Sequence, residues 1–218
     1  MRYGVLGTGP VGRALAGRLV EVGHEVRMGS RSAANEAAAA WAAEAGADAS
    51  HGTFASAAEF GQSVLNCTGG SVSLEALSAA GAEHLAGKVL IDVANALTFE
   101  TGRLTLTVCN TDSLGEQIQR AFPDARVVKT LNTMNNQVMI HPERVPGAHS
   151  VFVSGDDAEA KQLVTGMLES FGWPAASVVD LGGIETARGP EMYLVLWIEM
   201  MQAGGTPDVN INVVRAEG

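Results

Sequence analysis

A glycine-rich loop follows the first apolar run of the chain, and it reads Gly7-Thr8-Gly9-Pro10-Val11-Gly12. Its GxGxxG spacing stands between a predicted strand at residues 3–6 and a predicted helix at residues 11–22, the context that gives this short motif meaning. The first glycine permits a tight turn, the second lets the backbone approach a pyrophosphate, and the third lets the helix pack on the strand. Pro10 suits the first helical position, because its missing N–H has no helical partner there. The loop therefore predicts a dinucleotide-binding βαβ unit whose helix N-terminus faces the phosphates.

Short apolar runs alternate with amphipathic stretches over the rest of the N-terminal part. This alternation is typical of βαβ units that build a parallel sheet. Further strands are predicted at residues 25–28, 63–66, 89–93 and 126–130, and further helices at 33–45, 74–80 and 114–122. Right-handed crossovers then give an α/β protein with a doubly wound parallel sheet, the NAD(P)-binding Rossmann fold.

A small C-terminal α/β unit is expected to pack on this domain, which divides the chain into residues 1–144 and 145–218. Its predicted strands lie at 150–153, 177–181 and 209–214, and its second helix lies at 185–203. The first helix is expected to start at an Asp156 cap, with Glu159 completing a capping box, and to end at Gly172. Residues 192–201 are nearly all apolar and too short to span a bilayer. They predict a buried helix that is core, dimer interface or acceptor pocket.

Charge and cysteine content exclude several classes of protein. The 218 residues carry 14 basic and 24 acidic side chains, a formal net charge of −10, which opposes binding to a nucleic-acid backbone. The two cysteines lack CxxC or histidine-partnered spacing, so neither a disulfide framework nor a metal site is expected. The N-terminus enters a strand pattern directly, without the features of a signal peptide. We therefore expect a cytoplasmic protein that has no membrane segment and acts on small molecules.

The end of the second predicted strand distinguishes NADP from NAD. An NAD site places Asp or Glu there to bind the ribose hydroxyls. This chain has Gly29-Ser30-Arg31 instead. A guanidinium can hold a phosphate dianion through two charge-assisted hydrogen bonds, and the small Gly29 leaves room for it. Ser30 and Arg31 are therefore predicted to bind the 2′-phosphate of NADP(H), with Asn35 as a further donor. The alternative is a solvated arginine beside a capped helix.

Residues that follow the other predicted strands extend the cleft, because ligands of open α/β sheets bind outside the carboxyl ends of the strands. Small residues and two asparagines stand there. An asparagine offers nicotinamide's carboxamide both a donor and an acceptor, although it can equally close a turn. The residues predicted to bind the cofactor are Gly7, Thr8, Gly9, Pro10, Val11, Gly12, Ser30, Arg31, Asn35, Thr68, Gly69, Ala94, Asn95 and Asn132.

Three titratable residues near this cleft admit structural roles. Asp92 is predicted in mid-strand, where an ionised carboxylate is costly without partners, so a buried hydrogen bond is favoured over catalysis. Lys129 ends a strand in the cleft, or else extends to the surface. His141 lies nearest to the cleft of the five histidines and is a candidate general acid for carbonyl reduction. No catalytic dyad stands out.

Several stretches together resemble one family. They are residues 2–9, 29–31, 92–95, 127–133, 155–157 and 210–214, and nearly end to end they are similar to the NADPH-dependent deazaflavin (coenzyme F420) reductases and to the oxidoreductase domain of the STEAP metalloreductases. The resemblance implies a homodimer that transfers hydride between NADPH and a deazaflavin or a flavin (FMN or FAD), with Asn132 and Met134 beside the rings. Such a transfer needs proximity more than an acid or base. Asn135-Asn136 departs from the family's Pro or Ala and is expected to make the acceptor side more polar.

Two related enzyme classes are excluded, and two other functions stay open. A short-chain dehydrogenase needs Tyr with Lys four residues later, but Gly7 follows Tyr3 and Trp197 follows Tyr193 at that spacing. A 6-phosphogluconate-like dehydrogenase needs a large helical C-terminal domain, for which the chain is expected to be too short. A redox sensor or scaffold that binds NADPH without turnover would share the phosphate loop. A small carbonyl compound is a further candidate acceptor.

Overall fold

The computed structural model describes residues 1–99 and 102–216. Its strands are β1 (Arg2–Leu6), β2 (Glu25–Ser30), β3 (Ala49–Thr53), β4 (Ser63–Asn66), β5 (Val89–Asp92), β6 (Leu97–Thr98), β7 (Thr105–Leu106), β8 (Arg126–Thr130), β9 (Val151–Ser154) and β10 (Val178–Asp180). Its α-helices are α1 (Pro10–Glu21), α2 (Glu36–Ala45), α3 (Phe54–Phe60), α4 (Ser73–Ala80), α5 (Ala82–Leu85), α6 (Leu114–Ala121), α7 (Asn136–Ile140), α8 (Ala158–Phe171) and α9 (Arg188–Gly204).

Eight strands form one sheet in the order β10-β9-β8-β5-β4-β1-β2-β3, and β6 pairs with β7 as a separate hairpin. Neighbours in the large sheet run parallel except β8 and β9, which are antiparallel. The chain builds outward from β1 in both directions, so the doubly wound Rossmann fold is confirmed. Strands β9 and β10, which lie in the predicted C-terminal unit, extend the same sheet. The division after residue 144 stays a prediction.

Central strands are apolar at successive positions because helices cover both faces of the sheet. Leu65 and Ile91 belong to a core shared with α1, α2, α7 and α8. Their neighbours Val64 and Leu90 face the opposite side and pack with α3, α4 and α6. The carboxyl ends of β1 and β4 meet where the chain's winding reverses, which is the place that open α/β sheets use for ligands.

The prediction missed β3 and α3 and misplaced the start of α2. Strand β3 and helix α3 were not predicted, because β3 is a mostly polar edge strand and α3 has only seven residues. Helix α2 begins at Glu36 rather than at residue 33, since Asn35 Oδ1 accepts a hydrogen bond from Ala38 N at 2.9 Å. The side-chain cap at Asn35 therefore starts the helix about one turn later than predicted.

The predicted capping box of the C-terminal unit is wrong. Helix α8 is capped by Asp157, whose Oδ1 accepts from Ala160 N at 2.8 Å. Asp156 instead accepts from Ile184 N at 2.9 Å and ties this loop to the turn before α9. The two adjacent aspartates have separate tasks, and Gly172 ends the helix as predicted.

The last predicted strand, residues 209–214, is also wrong. Ser150 N donates to Ile211 O at 2.8 Å, as in a β-ladder. The neighbouring hydrogen bonds of this segment involve side chains, whereas a strand would use backbone groups. Asn210 Nδ2 donates to Ser150 O at 3.0 Å, and Asn210 Oδ1 accepts from Ile211 N at 2.9 Å. Side-chain amides that bond to nearby backbone compete with regular structure, which explains the irregular segment.

Helix α9 is only partly buried within this chain, so the interpretation as simple core is wrong, while the dimer-interface alternative stays a prediction. Leu194 and Trp197 are buried, whereas Val195 and Leu196 are 41% and 55% exposed. The homodimer implied by the resemblance stays a prediction. Within residues 1–99 and 102–216, no helix is long and apolar enough to cross a membrane.

Candidate functional site

The glycine-rich loop joins β1 to α1, and two of its glycines are required by the fold. Gly7 has φ of +119°, and a Cβ there would lie 2.6 Å from the carbonyl oxygen of Cys67. A Cβ on Gly12 would lie 2.1 Å from the carbonyl oxygen of Gly7. A Cβ on Gly9 would meet no described atom within 4 Å. The open space at Gly9 is where a bulky ligand group can approach the backbone.

The N-terminus of α1 is open to an anion. Gly9 is the N-cap and supplies no side-chain hydrogen bond, and Pro10 fills the first turn. The free N–H groups of a first turn and the helix dipole together favour negative charge. This end of a 12-residue helix therefore suits a phosphate group.

A cavity of about 500 Å³ opens beside this loop. Its predicted lining residues are Gly7, Thr8, Gly9, Ser30, Arg31, Asn35, Thr68 and Gly69. The prediction missed its apolar wall, which is formed by Phe54, Val72, Ala76 and Ala79. The wall lies on or just before α3 and α4. Thr53, which caps α3 directly before Phe54, was the signal that could have revealed the first of these helices.

The turn after β2 carries Arg31, a cation that has no partner among the described residues. Arg31 is exposed and makes no hydrogen bond or ion pair with any residue of 1–99 or 102–216. Ser30 is buried, and its hydroxyl donates to Ser32 O at 2.6 Å inside the turn. A Cβ on Gly29 would lie 2.8 Å from Ala57 Cβ, so this glycine is needed for packing against α3, not only to leave room for a phosphate.

A second cavity, of about 280 Å³, continues the first along the loop after β4. The two share Cys67, Thr68 and Gly69. The remaining lining residues are Val11, Gly70, Ser71, Val93, Ala94, Asn95, Leu97, Asn132, Met134, Met139 and Leu194. The pair of cavities suits an elongated ligand with phosphates near the glycine loop and a flat ring at the other end.

Asn95 and Asn132 form a reciprocal pair at this second cavity. Asn95 Nδ2 donates to Asn132 O at 2.9 Å, and Asn132 Nδ2 donates to Asn95 Oδ1 at 3.0 Å. Leu131, directly before Asn132, is buried with φ of +61°, a conformation that only surrounding packing sustains in a leucine. Each amide keeps one N–H, and Asn132 keeps its oxygen, for a ligand.

The smaller cavity offers no acid or base among its described lining residues except the Cys67 thiol. Burial, with a smaller effect from the charge of Asp92, raises the pKa of Cys67 far above its usual range, so the thiol stays neutral. His141 lines neither cavity and lies 3.1 Å from Glu143. The structure therefore gives no support to a histidine acid at this site.

The Asn135-Asn136 pair does not face the smaller cavity, contrary to prediction. Asn135 Oδ1 accepts from Gln137 N at 2.7 Å and caps α7, while its amide donates to Pro207 O and to Asp208. Asn136 donates to Pro10 O at 3.3 Å and lines a separate groove on the outer side of α1. These polar side chains therefore do not change the polarity of the acceptor side.

Lys129 is fully buried and lines neither cavity, so both alternatives considered for it, a place in the cleft and an extension to the surface, are wrong. Its Nζ lies 2.7 Å from Asp92 Oδ2 and 2.9 Å from Glu191 Oε1, and it also donates to Ala94 O. Burial alone lowers the pKa of Lys129, but the two carboxylates outweigh burial and raise it above its usual value. Asp92 has the buried structural role that was predicted. Glu191 was missed because it lies far along the chain in an apolar helix.

A metal centre has no ligand set in the described parts of the chain. No group of three or more His, Cys, Asp or Glu side chains is placed there to hold a metal ion.

Known proteins are similar to this chain in sequence and in fold. The family described as NADP oxidoreductase, coenzyme F420-dependent, matches residues 2–96. A crystal structure from Arthrobacter sp. FB24, provisionally described as an F420-dependent NADP reductase, is 49% identical, with a TM-score of 0.92 over 98% of this chain and 99% of that one. The chain belongs to the F420-dependent NADP oxidoreductase family. Its members are NADP-dependent oxidoreductases, which places this chain in that class.

More distant relatives share part of the molecule. Metalloreductase STEAP3 of Rattus norvegicus is 30% identical over 190 residues, which are 87% of this chain, and the match spans only 36% of the metalloreductase. A reductive aminase from Aspergillus terreus, solved with NADPH and ethyl levulinate, is 20% identical with a TM-score of 0.65 over 93% of this chain and 62% of that one. This second likeness shows a common fold.

Proposed function

We propose that this chain binds NADPH across the two cavities and passes hydride to a deazaflavin of the coenzyme F420 type. The observation that carries the proposal is the smaller cavity, which adjoins the phosphate loop and whose described lining holds no group able to donate a proton at neutral pH. Hydride transfer between two rings depends on proximity and shielding. A carbonyl acceptor would also need a proton for its oxygen, which disfavours a small carbonyl substrate.

The lining residues fit NADPH in one orientation, with its adenosine in the larger cavity and its nicotinamide in the smaller one. The α1 N-terminus and the space at Gly9 suit the pyrophosphate, and Phe54 offers an apolar surface for adenine. Arg31, which has no partner among the described residues, is the cation for the 2′-phosphate, beside Ser30. When bound, NADPH supplies hydride from C4 of its nicotinamide, for which the smaller cavity offers the remaining amide N–H of Asn95 and of Asn132 and the Asn132 side-chain oxygen.

The acceptor side is apolar and polarizable. Met134, Met139, Leu97 and Leu194 line the smaller cavity. Thioether and aliphatic groups adapt to a flat ring and exclude water from it. An apolar surface that can receive a second ring beside the nicotinamide supports turnover over sensing or storage of NADPH. FMN or FAD presents a ring of similar shape and is the acceptor to compare with the deazaflavin.

We expect the rate of hydride transfer to oxidised deazaflavin to stay constant between about pH 6.5 and 9. The described lining of the smaller cavity holds no group that changes its protonation state in this pH range. The raised pKa of Cys67 keeps its thiol protonated as pH rises through this window. Single-turnover absorbance measurements at each pH, with enzyme in excess, would provide the profile. An inflection in the rate near the pKa of histidine would contradict the proposal, as would a complete lack of transfer.

A further inference from the structure

We infer that Lys129, Asp92 and Glu191 act together as positioning residues for the nicotinamide end of the site. The inference rests on the proposed function. All three side chains are buried, and none lines a cavity. Each nevertheless bonds to a backbone or side-chain group that holds a wall of the smaller cavity.

One wall is the loop after β5. Lys129 Nζ donates to Ala94 O, and Asp92 Oδ1 accepts from Ala94 N at 3.2 Å. Both backbone polar groups of Ala94, a lining residue, are thus held by the cluster. Asn95 follows directly, so these two contacts fix its backbone while the pairing with Asn132 fixes its amide.

A second wall is helix α9. Glu191 Oε1 contacts Lys129 Nζ at 2.9 Å, and the two carboxylate oxygens accept from Leu114 N at 2.8 Å and Gly115 N at 3.0 Å. The helix is thereby fixed to both the sheet and the start of α6. Leu194 lies three residues after Glu191, on the same face of α9, and lines the smaller cavity.

A third wall is the loop shared by the two cavities. Asp92 Oδ1 accepts from Asn66 Nδ2 at 2.8 Å, and Asn66 Oδ1 accepts from Thr68 Oγ1 at 2.7 Å. The Lys129 ammonium therefore has three acceptors: Ala94 O in the loop after β5, Glu191 on α9, and Asp92, which leads through Asn66 to Thr68. Buried ion clusters are often no more stabilising than apolar residues of the same size, so stability alone does not account for this one.

A double variant tests the inference by removing the contacts of Lys129 while keeping most other hydrogen bonds of the cluster, which limits the effect on folding. In the double variant Lys129→Met, Asp92→Asn, methionine has nearly the length of lysine, and the new asparagine keeps the oxygen that Asn66 and Ala94 use. Glu191 retains two backbone donors. We expect binding of 2′,5′-ADP, which carries only the adenosine end of the proposed cofactor, to stay within about twofold of wild type, because the variant keeps the contacts that lead to Thr68. The single-turnover hydride transfer rate should fall about tenfold or more, because small displacements of reacting atoms are costly.

Leu168→Ala, in the core of α8 away from both cavities, is the matched control for lost stability. It should lower the melting temperature without changing the hydride transfer rate. Glu191→Gln is the second variant, should the double variant not fold. A transfer rate within about twofold of wild type in a folded variant would overturn the inference. A loss of 2′,5′-ADP affinity as large as the loss of transfer rate would also overturn it.

The outcome can be separated from that of the proposed function. If the wild-type protein transfers no hydride to deazaflavin, the proposed function fails. The inference is then decided by the two dissociation constants of the double variant. It predicts weaker NADPH binding with unchanged 2′,5′-ADP binding, and a parallel change in both constants overturns it.

Discussion

Arg31→Ala is expected to weaken NADPH binding about ten- to a hundredfold, because hydrogen bonds to a charged group contribute roughly 1.5–3 kcal/mol. NADH lacks the 2′-phosphate, so its binding should change by less than about twofold. Arg31 has no partner among the described residues, and its removal therefore leaves no buried group unsatisfied. Isothermal titration of both cofactors against both proteins provides the four dissociation constants.

Arg13→Ala is the matched control for this substitution. Arg13 is also an exposed arginine, but it lies on α1 in the outer groove and lines neither candidate cavity. It removes the same charge from the protein, so it measures the long-range contribution to the binding of an anionic cofactor. Equal losses for NADPH and NADH at Arg31, or an equal NADPH loss at Arg13, would rule out the 2′-phosphate assignment.

Gly9→Ala is expected to weaken NADPH binding strongly with only a small fall in melting temperature, because alanine is a poorer N-cap than glycine. The new Cβ meets no described atom within 4 Å, and Gly9 has φ of −73°, which any residue adopts. The methyl group would occupy the space for the pyrophosphate, and overpacking of this kind costs about 1–3 kcal/mol, or roughly ten- to a hundredfold in affinity. Calorimetric titration and thermal unfolding of the same samples separate the two effects.

Two other glycines of the same helix provide the comparison. Gly12→Ala should lower both stability and affinity, because its Cβ would lie 2.1 Å from the carbonyl oxygen of Gly7. Gly17→Ala, whose Cβ would only touch Trp41 at 4.0 Å, should leave affinity unchanged and stabilise the helix by about 0.5–1 kcal/mol. If Gly9→Ala and Gly17→Ala bind NADPH equally well, the phosphates do not lie over this loop.

The central sheet and its phosphate loop could be predicted because their signals are local. Val64-Leu65 and Leu90-Ile91 are apolar at successive positions, which indicates strands with both faces buried, and the glycine spacing fixes the turn after β1. The edge strand β3 escaped because it lies at the rim and carries polar residues. The segment at 209–214 looked like a strand, but asparagine side chains satisfy its backbone.

The candidate site was predictable only where it follows strand ends. Thr68, Asn95 and Asn132 come directly after or close to β4, β5 and β8, and the structure brings all three to the smaller cavity. Phe54 was missed together with α3. The partner of Lys129 on α9 could not be found from sequence, because Glu191 is 62 positions away and its pairing depends on how α9 packs. Contacts of this range are set by tertiary structure, not by pattern.

Hydride from NADPH is expected to reach a deazaflavin in the smaller cavity. Anaerobic stopped-flow absorbance with NADPH deuterated at C4, and with oxidised deazaflavin and FMN as acceptors in separate runs, tests it most directly. We predict loss of the deazaflavin absorbance band on mixing and deuterium at C5 of the reduced product. Binding of NADPH without loss of that band would contradict the claim, whether FMN is reduced instead or neither acceptor reacts.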